Sequence, residues 1–197
     1  MNSMVQATER DAAPMAQSFC QAFADDPGLA WIWPDRDDRI GRLPYFFATI
    51  VGGTLAHGVG VRSECSAAVS LWRRPGAITP TAEEMAPFHA ELGQAFGSGG
   101  QRSQLMAAAL KAHQPADYPW WYLQFIGVSP TAQGTGLGGA VIRAGLELAA
   151  AQDLPVYVEV MNPDNFGYYS HVGFETVAEF DIPDSGPHVW AMLWRKP

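Results

Sequence analysis

Apolar residues recur along this chain with helical spacing in the first part and in strand-like runs in the second. A repeat every three or four positions indicates amphipathic helices, and it is found over residues 8–24, 37–57, 81–96 and 101–113. Two short apolar runs, 59–61 and 67–72, indicate a β-hairpin that ends at Pro75-Gly76. The glycine cluster at 97–100 predicts a loop between the last two helices.

From residue 120 the pattern predicts a βαβ unit followed by a hairpin. Strand-like apolar runs lie at residues 120–128, 155–160, 174–182 and 189–194. Helical spacing is found between them, at 137–152 and 164–171. On the strand 155–160 the three valines share one face, and Tyr157 and Glu159 share the other. No long linker divides the chain, so we predict a single α/β (α+β) domain over residues 1–197.

Composition and charge narrow the function classes. The 197 residues carry a formal net charge of −8, without the clustered lysine and arginine that a nucleic-acid surface needs. An amine-bearing partner suits this charge better, although an acidic surface also serves solubility. The chain has no run of about 18 apolar residues and no apolar signal segment. We therefore expect a cytoplasmic protein that binds neither nucleic acid nor membrane.

Cysteine and histidine give no sign of a disulfide or a metal site. Cys20 and Cys65 are far apart in the sequence and have no CxxC spacing, so we expect two buried free thiols. The histidines are scattered without the paired spacing of metal ligands, so no metal is predicted.

The loop before the helix 137–152 carries the clearest chemical signal. Four glycines, at 134, 136, 138 and 139, fall at the point where the helix begins. Without Cβ atoms the backbone can approach phosphate oxygens closely. The free N–H groups of the first helical turn point at such a group, with the positive end of the helix dipole behind them. The loop therefore predicts a pyrophosphate site that requires no lysine.

A nicotinamide dinucleotide site is an alternative for the same loop. Gly134, Gly136 and Gly139 spell GxGxxG, and Glu159 stands twenty residues beyond Gly139. However, five residues including Pro130 separate the strand from the first glycine. Only about forty residues follow Glu159, too few for the remaining units of a doubly wound sheet. A glycine turn without a ligand is the remaining alternative.

The loop resembles the Q/R-x-x-G-x-G/A signature of the GNAT superfamily of acetyltransferases, in the segment Gln133-Gly134-Thr135-Gly136-Leu137-Gly138. Its flanks are similar as well. The V-x-P end of the preceding strand is Val128-Ser129-Pro130, and the N-x-x-x-Y-x-x-x-G-F segment is matched by Asn165, Tyr169, Gly173 and Phe174. More loosely, residues 22–27 with Trp31 and Pro34 are similar to puromycin N-acetyltransferase-like members.

This resemblance implies a mixed central β-sheet flanked by helices, with a V-shaped opening that holds acetyl-CoA. The implied activity is transfer of the acetyl group to a primary amine of a small molecule by direct attack. A non-catalytic acyl-CoA-binding or sensor module is the alternative, and a homodimer is left open. A bulge permitted by Gly127 would splay the strand. The implied cofactor-binding residues are Ile126, Gly127, Val128, Gln133, Gly134, Thr135, Gly136, Leu137, Gly138 and Asn165.

Two residues are candidates for proton transfer. Tyr169 matches the general acid of the family, since a phenol is protonated at neutral pH and can donate to a leaving thiolate; packing is the other interpretation. Glu159 is a candidate general base, acting directly or through water; the alternatives are a partner for the substrate ammonium or simply a solvated strand residue. Asn165 would either cap the helix or bond the pantetheine arm.

The acceptor side has weaker candidates. Asp25 and Asp26 could attract a cationic substrate, or serve only in capping and turn formation. Four tryptophans flank the predicted acceptor side and are candidates to line an aromatic pocket, namely Trp31, Trp33, Trp120 and Trp121.

Overall fold

A sheet of seven strands organises the fold in the computed structural model, which describes residues 3–75, 82–116 and 118–197. The strands are β1 (Met4–Gln6), β2 (Val59–Ser63), β3 (Ala68–Arg73), β4 (Trp121–Val128), β5 (Val156–Val160), β6 (Phe174–Asp181) and β7 (His188–Trp194). Their order across the sheet is β1-β2-β3-β4-β5-β7-β6. Every neighbouring pair is antiparallel except β4 and β5, so the sheet is mixed, as predicted.

Seven helices flank this sheet in the described residues: α1 (Ala12–Ala22), α2 (Pro27–Ile32), α3 (Arg36–His57), α4 (Ala82–Phe96), α5 (Gly100–Ala112), α6 (Leu137–Ala150) and α7 (Pro163–Val172). The βαβ unit β4-α6-β5 and the hairpin β6-β7 are confirmed. Gly76 and residue 81, where a turn and a helix start were predicted, lie outside the described residues. No helix in the described part combines the length and hydrophobicity needed to cross a bilayer.

The two faces of the sheet are covered by different helices. Helices α6 and α7 pack on the face that carries the valines of β5, where Val141 and Ile142 are fully buried. Helices α1 and α3 cover the opposite face through a cluster of phenylalanines. The ring centroids of Phe19 and Phe47 lie 5.3 Å apart, and those of Phe47 and Phe125 lie 5.5 Å apart. Each face therefore has its own core, and β4 contributes to both.

The strands β4 and β5 separate soon after they begin. Their parallel pairing consists of Trp121 with Val156 and Tyr122 with Tyr157, and it ends there. At the same point the antiparallel register between β3 and β4 shifts, because Leu71 pairs with Phe125 and Trp72 with Leu123. Beyond this point the two parallel strands diverge, which produces the V-shaped opening.

The bulge that accompanies this divergence lies at Gln124, and the prediction that it uses Gly127 is wrong. In a regular strand, side chains two positions apart point to the same face of the sheet. Because of the extra residue, Leu123 and Phe125 point to opposite faces, so that Leu123 packs under α6 and Phe125 packs under α3. Gly127 is needed for a different reason. A Cβ atom there would lie 2.9 Å from the Cβ of Ala22, so glycine allows α1 to rest directly on β4.

This topology excludes the dinucleotide alternative. A doubly wound fold needs consecutive parallel strands connected by helices. In the ranges that the structure describes, only β4 and β5 pair in parallel. The glycine loop therefore belongs to a different α/β architecture.

The cysteines are both free, as predicted, but the expectation that both are buried is wrong. Cys65 is exposed in the turn between β2 and β3, where no core element covers it. Cys20 is half-buried on α1, and this burial raises the pKa of its thiol to about 11.

A buried glycine contact between α6 and the sheet provides a stability prediction. A Cβ atom on Gly145 would lie 1.9 Å from the indole of Trp72, which is fully buried. We expect Gly145→Ala to lower the free energy of unfolding by about 1–3 kcal/mol through overpacking. The measurement is urea or thermal denaturation.

Gly52→Ala is the matched control for this substitution. Gly52 lies inside α3 with no atom within 4 Å of its Cβ position, so alanine should stabilise by about 0.5–1 kcal/mol through helix propensity alone. Equal stabilisation by both substitutions would mean that α6 does not rest on Trp72.

Candidate active site

A cleft of about 500 Å³ opens where β4 and β5 diverge. Four segments surround it: residues 21–26 at the end of α1, the last residues of β4, the glycine loop, and the start of α7. Of the predicted site residues, it is lined by Ile126, Gly127, Val128, Gln133, Gly138, Asn165 and Tyr169. The fold therefore brings most of the predicted residues to one place.

One wall of the cleft is an open strand edge. Because β4 has no partner on its β5 side beyond Tyr122, every second residue of 123–128 directs backbone N–H and C=O groups toward the opening. Antiparallel pairing with β3 satisfies the other groups of the same strand. The free edge can bind an extended ligand by hydrogen bonds alone, as an added strand would.

The glycine loop closes one end of this edge. Gly134 and Gly136 have positive φ angles of 75° and 83°, which glycine adopts without strain. Gly136 occupies the N-cap position of α6. Within the described chain, the amides of residues 134–139 donate to no backbone carbonyl. Six adjacent amides without a backbone acceptor thus lie at the positive end of the α6 dipole, an arrangement that suits anionic oxygens.

Side chains of the loop serve mainly to fix its shape. The Thr135 hydroxyl donates to the Ala132 carbonyl at 2.6 Å, and the Gln133 amide donates to the Val128 carbonyl at 3.3 Å. Leu137 is buried in the core beneath α6. These contacts hold the loop backbone in place, and the backbone amide of Gln133 is itself bonded to the Pro130 carbonyl.

Two asparagines lie at the start of α7, and their roles differ from the prediction. Asn162 caps the helix, since its side chain accepts a hydrogen bond from the Asp164 amide at 3.0 Å. The interpretation of Asn165 as the cap is therefore wrong; Asn165 lies in the first turn and lines the cleft, as Asn162 also does. The Asn-Pro pair at 162–163 is the sequence signal for the cap.

Tyr169 projects from α7 into the wall of the cleft. Its ring packs edge-on against Phe174, with centroids 5.6 Å apart, and it is only 6% exposed. Burial raises the pKa of Tyr169 above its ordinary value, and the nearby carboxylate of Asp26 adds to the shift. The phenol is therefore fully protonated at neutral pH, and it is fixed in position by packing.

Glu159 lies away from the residues that line the cleft. It projects from β5 beneath a small cluster of aromatic rings, where the Tyr122 hydroxyl donates to Glu159 Oε2 at 2.5 Å. Burial raises the pKa of the carboxyl group, and the hydrogen bond from Tyr122 opposes that shift.

Asp26 is one of three carboxylates that line the cleft, with Asp25 and Asp164, and its charge acts on Tyr169. Its Oδ1 accepts a hydrogen bond from the Leu29 amide at 3.0 Å, so it also caps α2. Burial raises the pKa of Asp26, while the amides of Leu29 and Gly28 lower it. The predicted capping role is confirmed for Asp26, and attraction of a cationic substrate stays a prediction.

Arg39 supports the segment above the cleft, and sequence reasoning did not identify it. Its guanidinium is 5% exposed and donates to the carbonyls of Ala24 at 2.9 Å and Trp33 at 2.7 Å. It also lies 3.7 Å from Asp25 Oδ1. A buried cation that ties both ends of this turn together holds Asp26 over the opening.

The four tryptophans do not line the cleft. Trp33 is buried against Phe46 and donates to the Phe96 carbonyl. Trp121 packs on the α6 face of the sheet. Trp33 and Trp121 are therefore core residues, whereas an aromatic acceptor pocket stays a prediction for the half-buried Trp31 and Trp120. In the same described ranges, no group of three or more histidine, cysteine or acidic side chains could hold a metal ion.

Comparison with known proteins identifies the class. Residues 3–174 match the acetyltransferase (GNAT) family, and the chain belongs to this family. Its members use acetyl-CoA as the acetyl donor. An uncharacterized N-acetyltransferase of Schizosaccharomyces pombe is 24% identical over 184 residues, which are 84% of this chain and 71% of the relative.

Solved structures share the fold over nearly the whole chain. A crystal structure described as histone acetyltransferase HPA2 and related acetyltransferase, from Corynebacterium glutamicum, has a TM-score of 0.73 and 24% identity, covering 99% of this chain and 96% of that one. The polyamine N-acetyltransferase of Drosophila melanogaster has a TM-score of 0.62 and 13% identity, covering 98% and 100%.

Proposed function

We propose that this protein is an acetyl-CoA-dependent N-acetyltransferase that acetylates a primary amine of a small molecule by direct attack. The observation that carries the proposal is the meeting of three features at one cleft: the open edge of β4, the unpaired amides of 134–139, and the protonated phenol of Tyr169. Acyl transfer from acetyl-CoA requires that the thioester carbonyl is polarised, that the phosphates are bound and that the leaving thiolate is protonated, and each of the three features meets one of these requirements.

The residues fit the cofactor by their chemistry. Acetyl-CoA supplies an activated thioester on a pantetheine arm with a pyrophosphate at its other end. The amides at 134–139 bind the phosphate oxygens, with Gly134, Thr135, Gly136, Leu137 and Gly138 contributing backbone groups. The edge at Ile126–Val128 binds the pantetheine and polarises the thioester carbonyl, and Asn165 lies within reach of the arm.

Proton transfer completes the reaction. The neutral amine attacks the carbonyl carbon, a C–N bond forms and the C–S bond breaks. A carboxylate takes the proton that the amine loses, and Tyr169 donates its own proton to the departing thiolate. Burial raises the pKa of Tyr169 and so keeps the phenol protonated until the thiolate forms, although the same shift makes it a weaker acid.

Asp26 is the carboxylate best placed to meet the amine, since it lines the cleft beside Tyr169. Glu159, the base suggested by the sequence, is the second candidate; from behind Tyr122 it would act through that hydroxyl or through water. Either carboxylate could instead bind the substrate as an ammonium ion before attack.

The lining of the cleft supports a cationic acceptor. It contains Asp25, Asp26 and Asp164, and no lysine or arginine among the residues that the structure describes. A similar fold is found in the Drosophila enzyme, which catalyses the formation of N-acetylagmatine. A cationic amine would be attracted to this entrance and repelled by a basic one.

Turnover and its dependence on Tyr169 test the function. Thiol release from acetyl-CoA is followed with a panel of primary amines, and the acetylated product is identified by its mass. Tyr169→Phe removes only the hydroxyl, so kcat should fall about 10²- to 10⁴-fold with coenzyme A affinity nearly unchanged. Tyr45→Phe, at an exposed position on α3, is the control.

Two results would contradict this assignment. Binding of acetyl-CoA with no amine acetylated would favour the acyl-CoA-binding or sensor module. Wild-type kcat in Tyr169→Phe, where chemistry is shown to limit the rate, would make Tyr169 a packing residue.

The pH dependence of kcat/KM in two variants shows which carboxylate, Asp26 or Glu159, is the general base. A base must be ionised, so kcat/KM should fall as the pH drops through its pKa, and burial places this fall above the usual range for Asp26. Asp26→Asn should remove this acid limb and lower kcat/KM. Asparagine caps helices as well as aspartate does, so folding is preserved.

Glu159→Gln is the matched comparison, since burial raises the pKa of this carboxyl group too. If Asp26 is the base, the Glu159→Gln variant should still show the fall of kcat/KM at low pH. The reverse pattern, with the limb lost in Glu159→Gln and kept in Asp26→Asn, would assign the base to Glu159.

A further inference from the structure

The hydroxyl of Tyr168 is buried beside the glycine loop without a hydrogen-bond partner among the residues that the structure describes. Its ring packs against Tyr169, with centroids 5.6 Å apart. A buried hydroxyl left unpaired costs about 1–3 kcal/mol, so such a group is uncommon unless a ligand satisfies it. Tyr168 lines the same cleft as Tyr169.

The hydroxyl points at the first turn of α6. A Cβ atom built on Gly138 would lie 3.5 Å from Tyr168 Oη and 3.4 Å from Val128 Cγ2. The backbone of Gly138 is thus in close reach of the phenol, and its amide is one of those without a backbone acceptor. The Tyr168 hydroxyl on α7 and the Gly138 amide on α6 are therefore two hydrogen-bond donors close together at this end of the cleft.

Arg143 is not among the residues that line the cleft, but its side chain places a positive charge over the same turn of α6. A Cβ atom on Gly139 would lie 3.1 and 3.2 Å from the two terminal nitrogens of its guanidinium. The side chain is exposed, and no carboxylate within the described ranges lies in salt-bridge distance of it. In a chain with a net charge of −8, a cation without a partner at a helix N-terminus favours an anionic ligand.

We infer that Tyr168 and Arg143 bind the pyrophosphate of the acyl-CoA together with the amides of the glycine loop. Tyr168 donates its hydroxyl to a phosphate oxygen, and Arg143 supplies charge. The inference rests on the proposed function, because it assigns two further binding residues to the same ligand. Tyr168 thereby differs in role from its neighbour Tyr169: one holds the donor and the other transfers a proton.

The test compares two acetyl donors, acetyl-CoA and S-acetylpantetheine, which lacks the pyrophosphate and the nucleotide. Tyr168→Phe should raise KM for acetyl-CoA about 10- to 100-fold, as expected for a hydrogen bond to a charged group, and leave kcat nearly unchanged. KM for S-acetylpantetheine should not change. Arg143→Gln should show the same pattern, and Arg10→Gln, on the exposed N-terminal segment, should have no effect.

The competing explanations predict different results. If Tyr168 only packs, Tyr168→Phe changes KM for both donors by the same factor or for neither, and the inference is wrong. If wild-type protein binds neither coenzyme A nor acetyl-CoA, the proposed function itself fails. Arg143 is exposed, so its substitution keeps the inference testable even if Tyr168→Phe is unstable.

Discussion

The early end of the pairing between β4 and β5 is the constraint on which the rest of the site depends. Two residue pairs join these strands, and every backbone group beyond them on the inner edge of β4 needs another partner. The bulge at Gln124 and the core on each face hold the strands apart, since Leu123 and Phe125 are anchored under different helices. A ligand with amide groups spaced along an extended arm can take the place of the missing strand.

The proposed binding of acyl-CoA does not require a basic protein surface. The attraction comes from backbone amides at the start of α6 and from the dipole of that helix, and it needs little side-chain charge. Acidic side chains also line the cleft, and among them Asp26 is held by Arg39 and the α2 cap. Under the proposed function, the amides attract the anionic donor and the carboxylates attract the cationic acceptor.

Short-range signals in the sequence predicted the parts of this structure that depend on local chemistry. The glycine loop, the βαβ unit and the two faces of β5 follow from spacing and residue type alone. The position of the bulge could not be predicted, because it depends on where β3 and β5 meet β4 from either side. For the same reason, the positions of Trp33 and Trp121, and the choice between Glu159 and Asp26, depend on packing between segments distant in sequence. The short elements β1 and α2 lacked a periodic signal, and Asn162 was overlooked in favour of a motif match at Asn165.

The most direct test of the account is a nuclear magnetic resonance titration of the ¹⁵N-labelled protein with coenzyme A. If the open edge of β4 and the start of α6 hold the ligand, the backbone amide signals of residues 126–128 and 134–139 should shift, while those of α4 and α5 stay in place. Gly136→Asp should give a folded spectrum without these shifts, because a carboxylate at the N-cap repels the phosphates. Saturation with coenzyme A that moves signals elsewhere and leaves residues 134–139 unchanged would contradict the account.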